Sequence, residues 1–294
     1  MRPTYLEVNL PQLRKNMEAI RRHVAPAKIM AMVKANAYGH GMDGVAPYIE
    51  PDVDSFGVAI LEEGIQLRDL GITKPILVAG GTLAEQIPAF IENDLILTAS
   101  SPELLASADA AAASAKKKLI AHLKIDTGME RLGVHYYDAE TFLEQSLKCR
   151  NVEIEGICTH FANSEERDLR HARVQLERFL EVLKFYEKRS VQTPIRHVAN
   201  SGAILQFPES HFDMVRPGLM LYGVYPVGVS HSVEIAPALT WRSRVAYSKI
   251  TRPGHPVSYG SLWQPEAETR IVTIPCGYAD GYFRRMTNQA QVIV

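Results

Sequence analysis

Side chains that can do chemistry stand directly after the short apolar runs of this sequence, at the points where buried strands would end. The set is Lys34, Asp126, Arg131, His160, Asn200, Ser201, Arg216, Gly218 and Leu219. It combines one lysine able to act as a nucleophile with several cations and with small polar groups suited to a phosphate. An isolated lysine at a strand end usually reaches solvent with its ammonium group. The neighbouring phosphate-type groups instead favour a covalent role for Lys34.

The elements that must position these residues are eight apolar runs separated by amphipathic or loop segments. The runs begin near residues 28, 55, 75, 94, 119, 152, 195 and 213. This alternation predicts an α/β fold, a (β/α)8 TIM-like barrel, in which chemistry gathers at the carboxyl ends of the strands. After residue 228 the segments 240–250 and 269–275 alternate like half-exposed strands. We therefore predict a barrel over 1–228 and a β-rich C-terminal domain over 229–294.

The last four residues, 291–294, are Gln-Val-Ile-Val, which is typical of the middle of a strand rather than of a polar, frayed end. We expect this segment to be a strand and the C-terminal β domain to be incomplete in the chain as given.

Composition limits the classes of function. The chain has 294 residues, 46% hydrophobic and 22% charged, with a net charge of -1. That balance argues against a nucleic-acid or membrane-surface partner. The three cysteines are irregularly spaced, so neither a disulfide framework nor a metal site is predicted. No signal-peptide pattern opens the sequence, and no apolar run approaches the roughly 18 residues of a membrane span, so we expect a cytoplasmic protein.

A competing motif overlaps the segment after Lys34. Residues 39–44 form a G-x-G-x-x-G pattern, and Glu62 lies 23 positions after Gly39, as in a dinucleotide-binding fingerprint. The first glycine, however, stands five positions beyond Lys34 rather than directly after the strand. A dinucleotide site would also leave the later cations unexplained, so the glycines are better read as a tight loop.

Longer motifs resemble those of the alanine racemase family, whose members are pyridoxal phosphate enzymes of fold type III. The matching segments are 33–41 (VKANAYGHG), 124–133 (KIDTGMERLG), 160–162 (HFA), 197–201 (HVANS), 216–223 (RPGLMLYG), 257–260 (VSYG) and 277–282 (GYADGY). They occur in the family's order along the whole chain. The resemblance implies a barrel with a mainly β C-terminal domain, and an activity that interconverts L- and D-alanine by a two-base mechanism.

The resemblance also assigns roles. Lys34 would carry the cofactor and act as one base, and Tyr259 would be the second base, supplied to the partner's active site in a homodimer. The cofactor-binding residues would be Lys34, Tyr38, His160, Asn200, Ser201, Arg216, Gly218 and Leu219. Arg216 would face the pyridine nitrogen and leave it unprotonated, because a guanidinium does not give up its proton.

The remaining assignments concern the substrate and its surroundings. Arg131 would contact the substrate carboxylate or the phenolic oxygen of the cofactor. Lys124 matches a position that is carbamylated in some family members, and Tyr278 and Arg284 would line the entry channel.

Three functional hypotheses remain. The leading one is an alanine racemase that supplies D-alanine for peptidoglycan. A decarboxylase or a racemase of broader amino-acid specificity is the second. The third is a non-catalytic pyridoxal phosphate-binding barrel or an inactive fragment, which the β domain and Tyr259 argue against.

Overall fold

The computed structural model describes residues 2–229 and 232–293. It separates into two compact units, one formed by residues 9–238 and the other by the described residues 2–8 and 239–293. The predicted division lay at 228/229, with the N-terminus in the barrel. In the structure residues 5–8 instead pair as a strand with residues 239–242, which is why the N-terminal segment groups with the β-rich unit.

The structure contains both strands and helices. In chain order the strands are β1 (Tyr5–Val8), β2 (Lys28–Met32), β3 (Ser55–Val58), β4 (Ile76–Val78), β5 (Ile96–Ala99), β6 (Leu119–Asp126), β7 (Val134–His135), β8 (Val152–Cys158), β9 (Ile195–His197), β10 (Met214–Val215), β11 (Leu239–Arg242), β12 (Tyr247–Thr251) and β13 (Thr269–Thr273).

Eight parallel strands form the predicted (β/α)8 barrel, in the order β10-β2-β3-β4-β5-β6-β8-β9, with β7 added beside β6. Two backbone hydrogen bonds join the ends of this order, from Asp213 N to Arg196 O (3.2 Å) and from Arg216 N to Ala199 O (2.9 Å). The strands are short and nearly all buried, as expected where helices cover a parallel sheet. The carboxyl ends of the strands therefore converge on one face of the unit.

Helices connect the strands, and their ends follow local sequence signals. Asn9 and Ser101 accept hydrogen bonds from Gln12 N and Leu104 N as N-caps. The helices are Leu10–Val24, Met42–Ile49, Leu61–Asp69, Ile87–Glu92, Pro102–Ala115, Ala139–Ser146, Arg170–Lys188 and Ser201–Gln206.

One part of the buried core of the barrel is apolar. Met30, Met32, Leu77, Ile96 and Met214 form a buried cluster contributed by four different strands. Methionine fills irregular space because its side chain is flexible and unbranched. Burying one such side chain contributes about 1.5–3 kcal/mol, so the cluster holds the strands, and thus their polar ends, in place.

The second unit contains two antiparallel pairs, β1 with β11 and β12 with β13. The single strand predicted over 240–250 is two strands, because its two halves pair with different partners and the chain must break between them. Residues 291–293, predicted to be a strand, have no regular secondary structure, and Val294 lies outside the described residues. Within the described part of the chain no helix is both long and apolar enough to cross a membrane.

Candidate functional site

Lys34 stands two residues beyond the end of β2, at the start of an unusual turn. Ala35, Asn36, Ala37 and Tyr38 all have φ between 52° and 55°, which makes one turn of left-handed helix. Such a conformation costs roughly 1–2 kcal/mol per residue for side chains with a Cβ. A turn of this kind persists only where its surroundings determine it, and such places are commonly functional.

The Glu63 side chain helps to hold the turn in its left-handed conformation. Its two carboxylate oxygens accept hydrogen bonds from Ala35 N (2.6 Å) and Ala59 N (2.8 Å). The side chain of Asn36 accepts from Met42 N (2.8 Å), which ties the turn to the following helix. The turn places Lys34 half-buried, with Nζ 6.0 Å from the centre of the Tyr38 ring.

Tyr38, Ser201 and Gly218 meet at the same face. An added Cβ at Gly218 would lie only 2.5 Å from the Tyr38 hydroxyl oxygen, so the hydroxyl occupies space that only glycine leaves open. Ser201 Oγ accepts from Gly218 N (3.0 Å) and Met220 N (3.3 Å). The Gly218 amide, predicted to bind phosphate, thus donates to Ser201 in this structure, and the hydroxyl proton of Ser201 is left to point elsewhere.

Asn200 begins the short helix that presents Ser201. Its side-chain oxygen accepts from Ala203 N (3.1 Å) and from the Ser164 hydroxyl (2.7 Å). A Cβ on Gly202 would lie 2.5 Å from Ser164 O, so this corner is closely packed. Asn200 therefore shapes the segment as an N-cap.

Arg216 is the most deeply embedded cation of the site, with 8% of its surface exposed. Nη1 donates to His197 Nδ1 (2.9 Å) and to the His197 carbonyl. Nη2 donates to the carbonyls of Thr159 (2.9 Å) and Val198 (3.1 Å) and to His160 Nδ1 (3.0 Å). Within the described residues these acceptors occupy the two Nη groups, and the Nε–H remains as the uncommitted donor.

For His160 and His197 to accept these hydrogen bonds, both rings must be neutral, with Nδ1, the nitrogen that faces Arg216, unprotonated. Burial, with Arg216 and Lys124 adding to it, holds the pKa of His160 well below its usual value. Burial, His122 and Arg216 do the same to the pKa of His197. The geometry and the direction of the shifts agree.

Lys124 lies on β6 and is almost completely buried. Its pKa is lowered to about 8, mainly by burial, with Arg216 and Arg131 adding to the effect and Cys158 and Asp126 opposing it. An amine with that pKa is neutral in about a tenth of the molecules at pH 7, and the neutral fraction rises with pH.

The Asp126 carboxylate fixes the loop that carries Arg131. It accepts from the backbone N–H groups of Gly128 (2.8 Å), Met129 (3.0 Å) and Arg131 (3.2 Å). The Arg131 residue itself is exposed, and its charge acts on both Lys124 and His160.

The structure thus gathers Lys34, Tyr38, Ser201, Arg216 and Gly218 at one face of the barrel unit, with Lys124, Arg131, His160, Asn200 and Leu219 around them. The other three predicted residues lie in the β-rich unit. There Tyr259 is 93% exposed and Tyr278 70% exposed, and Arg284 is also exposed.

Comparison with known proteins assigns the family. The model of the alanine racemase N-terminal domain matches residues 8–226, and that of the alanine racemase C-terminal domain matches residues 238–294. The chain belongs to the alanine racemase family. An alanine racemase of Carboxydothermus hydrogenoformans is 44% identical over 300 residues, covering all of this chain and 80% of the relative.

Solved structures agree with that membership. An alanine racemase of Clostridium difficile 630 superimposes with a TM-score of 0.88 at 35% identity, covering 97% of this chain and 76% of the other. A histidine racemase of Leuconostoc mesenteroides superimposes with a TM-score of 0.82 at 27% identity, covering 96% and 76%. The alanine racemase family depends on pyridoxal phosphate, and the dinucleotide-binding interpretation of residues 39–44 is excluded by this membership.

The residues present fit that cofactor. The hydroxyl groups of Tyr38 and Ser201 are donors suited to a phosphate, and the Nε–H of Arg216, which has no acceptor among the described residues, is suited to a ring nitrogen. Lys34 provides the amine.

Sequence reasoning missed four residues that shape this site. They are Glu63, His197, His122, whose Nδ1 lies 2.8 Å from His197 Nε2, and Glu155, whose Oε2 lies 3.0 Å from His122 Nε2. His197 was within a recognised motif but was given no role. Glu63 lies in the first turn of the helix Leu61–Asp69, where an acidic residue is ordinary and indicates no special role. His122 and Glu155 lie inside strands. Only the spacing of polar residues within otherwise apolar strands could have indicated the last two.

The chemistry of Lys124 gives a testable expectation. A neutral amine adds to CO₂, forming a C–N bond and releasing one proton, and the carbamate would pair with the adjacent cationic arginines. With ¹³C-labelled bicarbonate, we expect a carbamate carbon resonance that grows as pH rises through about 8, the pKa of Lys124, because deprotonation precedes the reaction.

Lys124→Gln should abolish that resonance, whereas the exposed control Lys117→Gln should keep it. A resonance that persists in Lys124→Gln, or one that weakens as pH rises, would contradict this assignment.

Proposed function

We propose that this protein is a pyridoxal phosphate-dependent alanine racemase that interconverts L- and D-alanine and supplies D-alanine for peptidoglycan. The observation that carries the proposal is the convergence of Lys34, Tyr38, Ser201 and Arg216 on one barrel face in a chain 44% identical to an alanine racemase. The cytoplasmic location expected from the sequence is part of the same proposal.

When bound, pyridoxal phosphate supplies an electron-withdrawing ring that acidifies the Cα–H bond of an attached amino acid. The amine of Lys34 would hold the cofactor, and as a free amine it would move a proton to and from Cα on one face of the substrate. The left-handed turn that begins after Lys34 fixes where that amine emerges, and this restricts it to a single face.

Arg216 would hold the ring nitrogen of the bound cofactor through its Nε–H. Because the guanidinium keeps its proton, it donates a hydrogen bond without protonating the ring. The Nη groups are fully engaged with carbonyl and imidazole acceptors, so the guanidinium cannot rotate to offer a different edge. An unprotonated ring withdraws fewer electrons, which restrains the side reactions that follow from a stronger electron sink.

Tyr38, Ser201 and the amide of Leu219 bind the phosphate. Burial, with the Glu165 carboxylate adding to it, raises the pKa of Tyr38, which keeps its hydroxyl protonated and able to donate. Ser201 accepts from Gly218 N and Met220 N, so its own proton is directed away from them. The first amides of a helical turn, here at Leu219, lack partners within the turn and suit an anion.

Tyr259 acts as the second base in the active site of a partner subunit. Its side chain is 93% exposed within this chain, as expected for a group that works elsewhere. Racemisation needs a proton donor on the face opposite Lys34, and the Tyr259 hydroxyl would deliver it. The protein would therefore function as a homodimer, with Tyr278 and Arg284 lining the entry channel.

Arg131 binds the substrate carboxylate or the phenolic oxygen of the cofactor. Its loop is fixed by three hydrogen bonds to Asp126, so its approach is defined even though the residue is exposed. Lys124, as a carbamate, would orient Arg131 by direct charge pairing.

A racemase of broader specificity is the second candidate, and the structural similarity to a histidine racemase at 27% identity is the observation that keeps it. Purified protein loaded with pyridoxal phosphate should racemise alanine faster than serine, histidine, lysine and arginine. Comparable rates on several of these amino acids would favour the broader racemase. Cofactor binding without turnover of any of them would favour the non-catalytic alternative.

The two-base arrangement predicts an asymmetric defect. Tyr259→Phe removes one proton carrier and leaves Lys34, so exchange of the Cα proton with deuterium from solvent should fall by about 100-fold or more for one alanine enantiomer and much less for the other. Tyr247→Phe, an exposed tyrosine of β12, is the matched control and should change neither rate. Equal small losses for both enantiomers would remove Tyr259 as a base.

A further inference from the structure

A chain of three hydrogen bonds runs from Arg216 through two histidines to Glu155 on β8. Arg216 Nη1 bonds to His197 Nδ1 at 2.9 Å, and His197 Nε2 bonds to His122 Nδ1 at 2.8 Å. His122 Nε2 bonds to Glu155 Oε2 at 3.0 Å. The two imidazoles are buried, and the Glu155 side chain is 36% exposed.

The chain can run in only one direction. A guanidinium has donors and no acceptor, so His197 Nδ1 must accept from Arg216 and its proton must sit on Nε2. That proton is donated to His122 Nδ1, which places the His122 proton on Nε2 and directs it to Glu155. Each ring is therefore fixed as a neutral Nε2–H tautomer, with a cation at one end of the chain and a carboxylate at the other.

The backbone is shaped for this arrangement at two independent places. Between β6 and β8, Ala121 pairs with Ile154 but His122 pairs with Gly156, so Glu155 is the extra residue of a β-bulge. A bulge re-aims a side chain, and here it brings Glu155 to the side occupied by His122. An added Cβ on Gly156 would lie 2.7 Å from His122 Cγ and Nδ1, so the ring fits only against glycine.

We propose that Glu155 is a positioning residue for racemisation, and that it holds Arg216 in place through His122 and His197. The inference rests on the proposed function. The direct partners of Arg216 in the described chain are carbonyl and imidazole groups, so Glu155 is the anion at the far end of its network. Hydrogen bonds in series polarise one another, and a carboxylate at the end strengthens each acceptor before it.

The hydrogen bond from His122 lowers the pKa of Glu155, which keeps the acceptor ionised. With the Glu155 carboxylate in place, the His122 ring cannot rotate away without losing a charge-assisted hydrogen bond. The His197 ring is then held against Arg216, and this fixes the direction of the Arg216 Nε–H.

The hydrogen-bond chain can be tested without any turnover. In protein labelled with ¹⁵N-histidine, both with and without cofactor, we expect His122 and His197 to show neutral Nε2–H tautomers and a through-hydrogen-bond coupling from His197 Nε2 to His122 Nδ1. Protons on Nδ1 of either ring, or absence of the coupling, would overturn the inference independently of the catalytic assignment.

The effect on catalysis is tested by two substitutions of one residue. Glu155→Leu removes the acceptor and should lower kcat for alanine by about tenfold or more with little change in KM, because Arg216 is then held less firmly. It should also raise the amount of pyruvate formed per racemisation through the side reaction in which the amino group of alanine passes to the pyridoxal phosphate, giving pyridoxamine phosphate and pyruvate. Glu155→Gln retains an acceptor oxygen and should restore kcat to within about threefold of the parent. Glu153→Leu, two residues earlier on the exposed face of β8, is the matched control and should match the parent.

A Glu155→Leu protein with unchanged kcat and unchanged pyruvate yield would overturn the inference. A loss of kcat in Glu155→Leu that Glu155→Gln does not restore would do the same. It would show that the acceptor oxygen of the side chain at position 155 is not the cause of the loss. An intact hydrogen-bond chain in a protein that racemises nothing would instead overturn the proposed function.

Discussion

Burying the guanidinium of Arg216 is costly unless its donors find acceptors, and the carboxyl end of the barrel is arranged around that requirement. Three carbonyl oxygens and two imidazole nitrogens from residues 159, 160, 197 and 198 receive its Nη protons. Those acceptors come from the ends of two strands, β8 and β9, while Arg216 follows β10. Correct burial of one cation thus requires that three strand ends already lie in register.

The same constraint decides the chemistry. With every Nη proton committed inside the protein, Arg216 offers only its Nε–H to a bound molecule, and what it faces must be an acceptor. The neutral histidines follow from the same rule, because a protonated imidazole would present a donor to a donor. Lys34 follows β2, the strand that pairs with β10, and the strained turn that Glu63 supports sets its position.

Much of this could be predicted from the sequence. The eight strands were visible as apolar runs, because parallel strands buried on both faces are almost continuously apolar. Lys34, Arg216 and Ser201 could be placed because strand ends in a barrel share one face. The boundary between the units was harder to predict from the sequence. Strand β1 pairs with β11, more than 230 residues later in the chain, and no local sequence pattern indicates such a pairing.

The network behind the site could not be predicted for a related reason. His122 and Glu155 are polar residues within apolar strands, and their function depends on a one-residue bulge and on the absence of a Cβ at Gly156. Periodicity assigns faces to a regular strand but cannot locate a bulge that shifts them. The left-handed turn after Lys34 was hidden similarly, since Ala35 and Ala37 favour right-handed helix.

The central claim is that Arg216, held by acceptors on all its other donors, keeps the ring nitrogen of the cofactor unprotonated. The most direct measurement is the ¹⁵N chemical shift of pyridoxal phosphate labelled at the ring nitrogen and bound to this protein. We predict the shift of an unprotonated, hydrogen-bonded pyridine throughout the pH range in which the fold is stable. The shift of a protonated pyridinium at neutral pH would contradict the account.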